Sequence, residues 1–410
     1  MPEFIRLIPP PEALDRLLAR LVFTPHPEEI STVDASGRVT AVPVKASHDL
    51  PSFPRSTVDG YAVVAAGTFG ANDSLPVYLT LRGEVRMGAP PAISLEPGDC
   101  ALIHTGGMLP DGSDAVVMIE HTQIANEEEI EVLRAVAVGE NVIKVGEDVR
   151  QGETIIPDGK RIRPAEIGGL MALGQTRVQV AKRPRVGILS TGDEVKPPDA
   201  KLSPGQVRDI NSHSLAALVM EAGGEPVNYG IVPDQAEALY DTAARALGDS
   251  DMVVITAGSS ASVRDLTAQV INDLAGPGVL VHGVNVRPGK PTILGVCGGK
   301  PVIGLPGNPV SALVIAMLFV TPTIEFLLGL QHGMQRFTQS ARLAVNVAST
   351  AGREEWVPVR LLPSTDGYSA EPVFGKSNLI FTLSRADGLL RIPPDATGLS
   401  TGDIVEVLIL

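Results

Sequence analysis

From Arg185 to about Leu330 the chain alternates strand-length apolar runs with helical patterns. That rhythm restricts the region to a doubly wound α/β sheet with helices on both faces. The first run, Val186–Leu189, ends abruptly in Ser190-Thr191-Gly192-Asp193-Glu194. Loops at the carboxyl ends of parallel strands face an open crevice. Gly192 lets the backbone turn tightly there, so Asp193 and Glu194 project from the strand end. Taken alone, the same segment also reads as a turn carrying two solvated acids. The later strands repeat the arrangement. Pro226–Val232 stops at Pro233-Asp234. Met252–Thr256 enters the small-residue loop Ala257–Ser262, containing Ser259 and Ser260, and then Val263-Arg264-Asp265. Val279–Val286 leads to the stiff turn Arg287-Pro288-Gly289-Lys290-Pro291, and Pro301–Leu305 runs through Pro306-Gly307-Asn308-Pro309 into a helix near Val310. Ser and Asn in Gly205–Ser212 precede a helix over Ser212–Ala222 and read as its cap, leaving free N–H groups suited to an anion. Backbone N–H groups of the loop at Ala257–Ser262 can also meet an anion. At least four strand ends thus carry glycine with an acid, a cation or a helix start. Their convergence predicts a polar pocket that accepts phosphate. No GxxxxGK[ST] is present and no GxGxxG follows the first strand, which sets aside the P-loop and leaves little for a dinucleotide fold.

A chain of 410 residues holds more than one domain. Its formal charge of −14 argues against nucleic acid as the main partner, because phosphate backbones select basic surfaces. Local basic clusters still allow a phosphorylated small molecule. Cys100 and Cys297 lie outside any CxxC pattern, so a disulfide framework and a zinc ribbon are not expected. The opening MPEFIRLIPP lacks a signal-peptide core, and the expected location is the cytoplasm. Val310–Leu330 is strongly apolar but contains Pro322, Ser311, Thr321, Thr323 and Glu325. It reads as a buried helix kinked or ended near Pro322 rather than a membrane span.

Before Arg185 the pattern is different. Pro11–Phe23 has apolar residues at helical spacing, Pro27–Arg38 reads as a further short helix or turn, and Val39–Val44 as extended. Asp59-Gly60 is a turn signal before a strand at Tyr61–Val64. Residues 65–139 are β-rich, with strand candidates at Val77–Leu81, Glu84–Met87, Cys100–Ile103 and Ala115–Met118. Asp59 there has the ordinary role of a turn residue, and Glu147 and Asp148 that of surface acids. His104 and His121 have no second ligand at metal spacing. Arg163–Leu173 reads as a helix, and the basic junction Lys182-Arg183-Pro184-Arg185 as a domain boundary. Arg342–Asn346, Glu355–Leu361, Leu390–Ile392 and Ile404–Ile409 read as strands.

Seven segments together resemble one family in order and content: STVDGYA (56–62), TGGMLPDGSDAVVMIE (105–120), GEDV (146–149), STGDEV (190–195), GQVRDINS (205–212), RPGKP (287–291) and GLPGNPVSA (304–312). The chain is similar throughout to the molybdenum insertases of molybdenum cofactor biosynthesis, the MoeA proteins and the gephyrin E domain. The resemblance implies a multi-domain α/β protein: a discontinuous first domain (1–50 and 140–182), a β-rich inserted domain (51–139), a doubly wound α/β pterin-binding domain (183–330) and a C-terminal β-barrel (331–410). It implies an elongated homodimer with the active site at the subunit interface. The reaction implied takes adenylylated molybdopterin and molybdate or tungstate, cleaves the pyrophosphate with Mg²⁺ and releases AMP. An upstream adenylyltransferase and molybdoenzyme targets are the further partners. The implied catalytic acids are Asp59, Asp148, Glu194, Asp234 and Asp265, with Glu194, Asp234 and Asp265 on the metal. The implied substrate contacts are Thr105, Ser190, Thr191, Gly192, Asp193, Ser259, Ser260, Arg287, Lys290, Pro306 and Asn308. Asp59, Thr105 and Asp148 would reach the site from the partner subunit. The chain departs from the family at Thr256–Thr267, TAGSSASVRDLT, where a TGGxSxG loop is common, and at Arg287, where lysine is common. The alternative function is a non-catalytic dimer that holds molybdopterin for a partner enzyme.

Overall fold

The computed structural model describes residues 7–22, 26–257, 261–330 and 337–410. The chain divides into two compact units. One comprises Met1–Val42, Asp158–Arg163 and Arg177–Leu410, the other Pro43–Pro157 and Pro164–Thr176.

The first unit is built on a six-stranded sheet, β1 (Arg185–Thr191), β2 (Glu225–Val232), β3 (Met252–Ala257), β4 (Pro277–His282), β5 (Ile293–Cys297) and β6 (Lys300–Pro306), in the order β2-β1-β3-β6-β5-β4. The first four in that order are parallel, and β5 runs antiparallel to both β6 and β4. Side chains alternate across the sheet. Val186, Ile188, Val254, Ile303 and Leu305 enter one core with helices α1 (Asn211–Ala222) and α4 (Pro309–Leu327). Leu189, Val253, Ile255 and Val302 enter the other core with α2 (Ala236–Asp249) and α3 (Ala261–Leu274). Burial on both faces is why these strands read as unbroken apolar runs rather than alternating ones.

Helix α4 is long and apolar enough to cross a membrane by length and composition, but 67% of its apolar window is buried, chiefly against this sheet, which accounts for its character. It is not ended by Pro322. Ala316–Val320 forms a π-turn immediately before the proline, which realigns the hydrogen-bond ladder around the missing N–H. The Thr323 hydroxyl donates to the Phe319 carbonyl at 2.6 Å in the same stretch.

The five strands β7 (Thr338–Leu343), β8 (Glu354–Ser364), β9 (Gly367–Pro372), β10 (Gly388–Ile392) and β11 (Ile404–Ile409) close on themselves in the order β8-β9-β7-β11-β10-β8. This is the expected C-terminal barrel, with Val357, Val359, Leu390 and Val407 inside. Strand β9 carries no apolar run and was not expected from sequence. Two N-terminal expectations also change. The first helix is shorter, Pro10–Leu18, with proline in its first turn. Pro27–Ser31 is a strand, paired antiparallel with Arg177–Ala181, and only Thr32–Asp34 is helical. Its partner lies about 150 residues downstream in sequence, so a local window could not see it.

The second unit carries a six-stranded sheet in the order Ala115–Met118, Gly60–Val63, Asp99–Ile103, Val77–Glu84, Glu129–Val132, Thr122–Ile124. Gly60 is required there, since a Cβ would stand 1.9 Å from the Val117 carbonyl oxygen. Glu84–Met87 is not a separate strand. A register shift between Leu81 and Glu84 carries the strand from Val77 on to Glu84, where it ends. The helix expected at Arg163–Leu173 is present at Pro164–Ala172. Both cysteines are buried and unpaired. Burial pushes the Cys100 thiol up to about 12, which makes it chemically inert.

Candidate functional site

The carboxyl ends of β1, β3 and β6 open into a cavity of about 550 Å³. Ser190, Thr191, Glu194, Asp209, Asn211, Thr256, Ala257 and Asn308 line it. A buried hydrogen-bond network sets its floor. The Thr256 hydroxyl donates to Ser190 Oγ at 3.2 Å, and Ser190 Oγ donates to Asp209 Oδ1 at 3.0 Å. Asp209 also accepts from the Ser212 N–H at 3.1 Å and from the Ser212 hydroxyl at 2.5 Å. The helix begins one residue earlier than expected, at Asn211, its N-cap position is Ile210, and the carboxylate that accepts from its first turn is that of the preceding Asp209, not the serine or asparagine expected from sequence. The carboxylate ties the helix start to the end of β1.

Three buried side-chain atoms in this region make no hydrogen bond of good geometry: Thr191 Oγ1, Asn211 Oδ1 and Asp234 Oδ1, although the Thr191 hydroxyl faces the Asp234 carboxyl closely enough to favour its charged form. Orphaned buried polar atoms are uncommon in folded proteins and mark places where a ligand, water or ion completes the set. Asp234 follows β2 and its N–H donates to Asp193 Oδ1 at 3.3 Å. Burial raises the Asp234 carboxyl above the usual carboxylate range, and the charges of Asp193 and Glu194 push it further the same way. Three acids thus crowd at the ends of two neighbouring strands. Gly192 makes this possible. It sits at φ +140°, and a Cβ would stand 2.7 Å from Val195 Cγ2 and 2.9 Å from Glu194 Oε2.

The crowding has a pH signature. A carboxyl whose folded pKa is raised contributes its stability below the unfolded pKa and loses it as pH rises through the folded one. Asp234→Asn is therefore expected to raise the melting temperature at neutral pH. The gain should vanish below about pH 4, where the aspartate of the unfolded chain is also protonated. Circular-dichroism melts across that range check it, and a variant no more stable than wild type at neutral pH would remove the repulsion from the account.

The expected residues are not all brought to one cavity. Ser190, Thr191, Glu194 and Asn308 line the first. Gly192 and Asp193 line an adjoining depression of about 500 Å³ with Asp209, His213 and Pro233. Arg287, Lys290, Pro306 and Asn308 line a third cavity, of about 630 Å³, against barrel residues including Glu355, Trp356, Lys376 and Ser377. Asn308 belongs to both the first and third, and its Nδ2 donates to Ser377 Oγ at 3.0 Å. Val286–Arg287 pairs in parallel with Glu354–Glu355, which seats the cationic turn on the barrel. Arg287 Nη1 lies 3.4 Å from Glu355 Oε1 and its side chain is 59% exposed, so this pair leaves the guanidinium accessible to an anion.

Asp265 is corrected. It was expected at a loop position, but α3 begins at Ala261, so Asp265 is an exposed helical residue and does not line the strand-end cavity. Ser259 and Ser260 lie outside the described residues. The expected metal set of Glu194, Asp234 and Asp265 does not form a cage either. Among the described residues no three His, Cys, Asp or Glu side chains converge to hold a metal ion.

In the second unit Asp59 and Thr105 are brought together. The Thr105 N–H donates to Asp59 Oδ1 at 2.9 Å, and His104 Nδ1 stands 3.4 Å from the same oxygen. His104 Nε2 lies 3.2 Å from Glu84 Oε1. The Thr105 N–H, with His104 adding to it, holds the exposed Asp59 carboxyl below its ordinary range. Asp148 is exposed in a turn, where its N–H donates to the Leu50 carbonyl at 3.0 Å.

Comparison with known proteins decides the family. Residues 8–174 match the MoeA N-terminal region (domain I and II), residues 187–325 a family described as "Probable molybdopterin binding domain", and residues 340–410 the MoeA C-terminal region (domain IV). The chain belongs to the MoeA family. It is 34% identical over 379 residues to a molybdopterin molybdenumtransferase of Nostoc sp., covering 91% of this chain and 86% of that one. It is 31% identical over 409 residues to molybdopterin molybdenumtransferase 1 of Mycobacterium tuberculosis, with coverage of 94% and 95%. The crystal structure of a MoeA protein from Pyrococcus horikoshii OT3 superposes with a TM-score of 0.86 at 31% identity, covering 99% of this chain and 100% of that one. The strand-end cavity lies wholly on the α/β and barrel regions of this MoeA chain.

Asn211 reads from sequence only as part of an anion-binding helix cap, and two contributors to the site were not singled out: Asp209, which had a signal as an acid just before a helix start, and the 376–378 segment, which had none. The latter reaches the site through a barrel loop some 70 residues beyond Asn308.

Proposed function

We propose that this chain inserts molybdate or tungstate into adenylylated molybdopterin, cleaving the pyrophosphate and releasing AMP as a transferase of molybdenum cofactor biosynthesis. The observation that carries the reading is the set of orphaned polar atoms at the strand ends, beside an acid pushed above the usual carboxylate range and next to a cavity bearing three cations, Arg287, Lys290 and Lys376. The relatives named as molybdopterin molybdenumtransferases support the same reaction class.

A bound pyrophosphate needs positive charge and hydrogen-bond donors. Arg287 and Lys290 supply the charge, and the Thr191 hydroxyl and the Asn308 amide the donors, while Ser190, whose proton goes to Asp209, lines the floor. Glu194 and Asp234 suit Mg²⁺, which is held through one or two carboxylates while phosphates and waters complete its shell. A three-acid cage is not needed for that mode. Bound there, Mg²⁺ would neutralise charge on the phosphate oxygens. Burial, with the charges of Asp193 and Glu194, makes Asp234 more basic than an ordinary carboxylate, and Asp209 fixes Ser190 in the floor of the cavity. Asp265 contributes no ligand in this scheme.

We further propose that the working form is a cytoplasmic homodimer in which Asp59, Thr105 and Asp148 come from the partner subunit. Asp59, kept charged by the Thr105 N–H, then repels oxyanion except where cations balance it, which suits selection rather than trapping. The domain division 1–50 with 140–182, 51–139, 183–330 and 331–410 is proposed with it, as are an upstream adenylyltransferase and molybdoenzyme clients. The test is AMP release by the purified chain given adenylylated molybdopterin and Mg²⁺, with molybdate, tungstate or neither added. Oxyanion-dependent release is expected. Tight pterin binding without AMP release would instead favour a non-catalytic carrier.

A further inference from the structure

The strand-end cavity is at one edge of the α/β sheet, and the opposite edge carries a second concavity. Lys182-Arg183-Pro184 leads into β1, Asp251 stands just before β3, and Lys300 begins β6. These three strands are parallel, so all three segments gather at the amino ends. Six or seven residues at about 3.3 Å each separate the two edges by about 20 Å. A cavity of about 390 Å³ lies there, lined by Lys182, Arg183, Lys300 and Asp251 among others.

We propose that this foot of the sheet is a separate binding site for a small phosphate-bearing anion. In a chain of net charge −14 it gathers three cations around one acid. None of the three forms an ion pair among the described residues. The single acid is already engaged, because Asp251 Oδ2 accepts the Arg185 N–H at 2.8 Å. Lys300 Nζ donates to the Leu247 carbonyl at 2.7 Å, which fixes the ammonium in place and leaves its other two protons for a ligand.

The chemistry selects the ligand class. A planar guanidinium beside two ammonium groups matches tetrahedral oxyanions with more than one charge, which accept several donors at once. The cavity has room for a nucleotide-sized molecule and not for a macromolecular surface. Pro184 and Leu327 give it apolar wall as well, which an inorganic ion alone would not use.

The experiment is calorimetric titration of the full chain at low salt with pyrophosphate and, separately, with AMP. The variants are K182Q/R183Q and Lys290→Gln, the latter weakening the strand-end side. Both replaced residues of the first variant are exposed, so folding should survive, and melting temperature checks it. One binding event should weaken about tenfold in K182Q/R183Q, as loss of two partly exposed charges implies, and persist in Lys290→Gln. Tighter binding of AMP than of pyrophosphate at that event would identify a nucleotide, and the reverse order a free phosphate. Isotherms of K182Q/R183Q that overlay wild type for both probes would overturn the proposal.

Discussion

Glu194→Ala is expected to lower AMP release by about a hundredfold or more while leaving pterin binding largely intact, as loss of an electrostatic group acting on the reacting phosphates commonly does. Glu194 lines the strand-end cavity from the turn that Gly192 makes possible. The groups proposed to contact the substrate line the cavities from other places: Ser190 and Thr191 on β1, Asn308 after β6, and Arg287 and Lys290 on the barrel-side turn. Under the proposed function, removing the carboxylate takes away charge at the reacting phosphates and little contact area. It also removes one of the two acids that push Asp234 upward, so the pH dependence of any residual turnover should move toward lower pH. Single-turnover AMP release and equilibrium binding of the pterin separate the two effects. Unchanged turnover would take Glu194 out of the site.

Phe319→Ala is expected to destabilise the fold by about 3–5 kcal/mol, the range for truncating a buried aromatic in a core that cannot collapse. Phe319 is fully buried, among the largest side chains so enclosed. It sits in the π-turn of α4 and in the core that joins α4 to α1 and to β1, β3 and β6. Its backbone carbonyl is held by the Thr323 hydroxyl, so the turn does not follow the cavity inward. Phe319→Leu keeps most of the volume and should cost about 1 kcal/mol. Urea denaturation gives both values. A loss below about 1 kcal/mol for the alanine variant would mean that the π-turn relaxes into the space.

Much of this architecture is legible in the sequence because the local signals and the tertiary outcome agree. Val186–Leu189, Met252–Thr256 and Pro301–Leu305 are apolar on both faces and become the central strands. The polar residues at their ends necessarily share one edge, since parallel strands place all carboxyl ends together. The misreadings have a common cause in long-range partners. Pro27–Ser31 is a strand only because Arg177–Ala181 lies beside it. Strand β9 is recruited by the neighbours β8 and β7 that close the barrel. At Pro322, where the sequence allows either a kink or an end, the helix continues because a local π-turn accommodates the proline. At the site, the motif residues Ser190, Thr191, Glu194 and Asn308 converge. Asp265 does not, because the helix starts sooner than the small-residue loop suggested. Asp209 hides just before the helix start, and its reach to Ser190 appears only once α1 is docked on β1.

The most direct measurement is a crystal structure of the chain with adenylylated molybdopterin and Mg²⁺ bound. The account predicts density for the phosphates between the ends of β1, β3 and β6 and the Arg287–Lys290 turn, with Thr191, Asn211 and Asp234 no longer lacking partners. Phosphate density elsewhere, with those three atoms still unpaired, would contradict it.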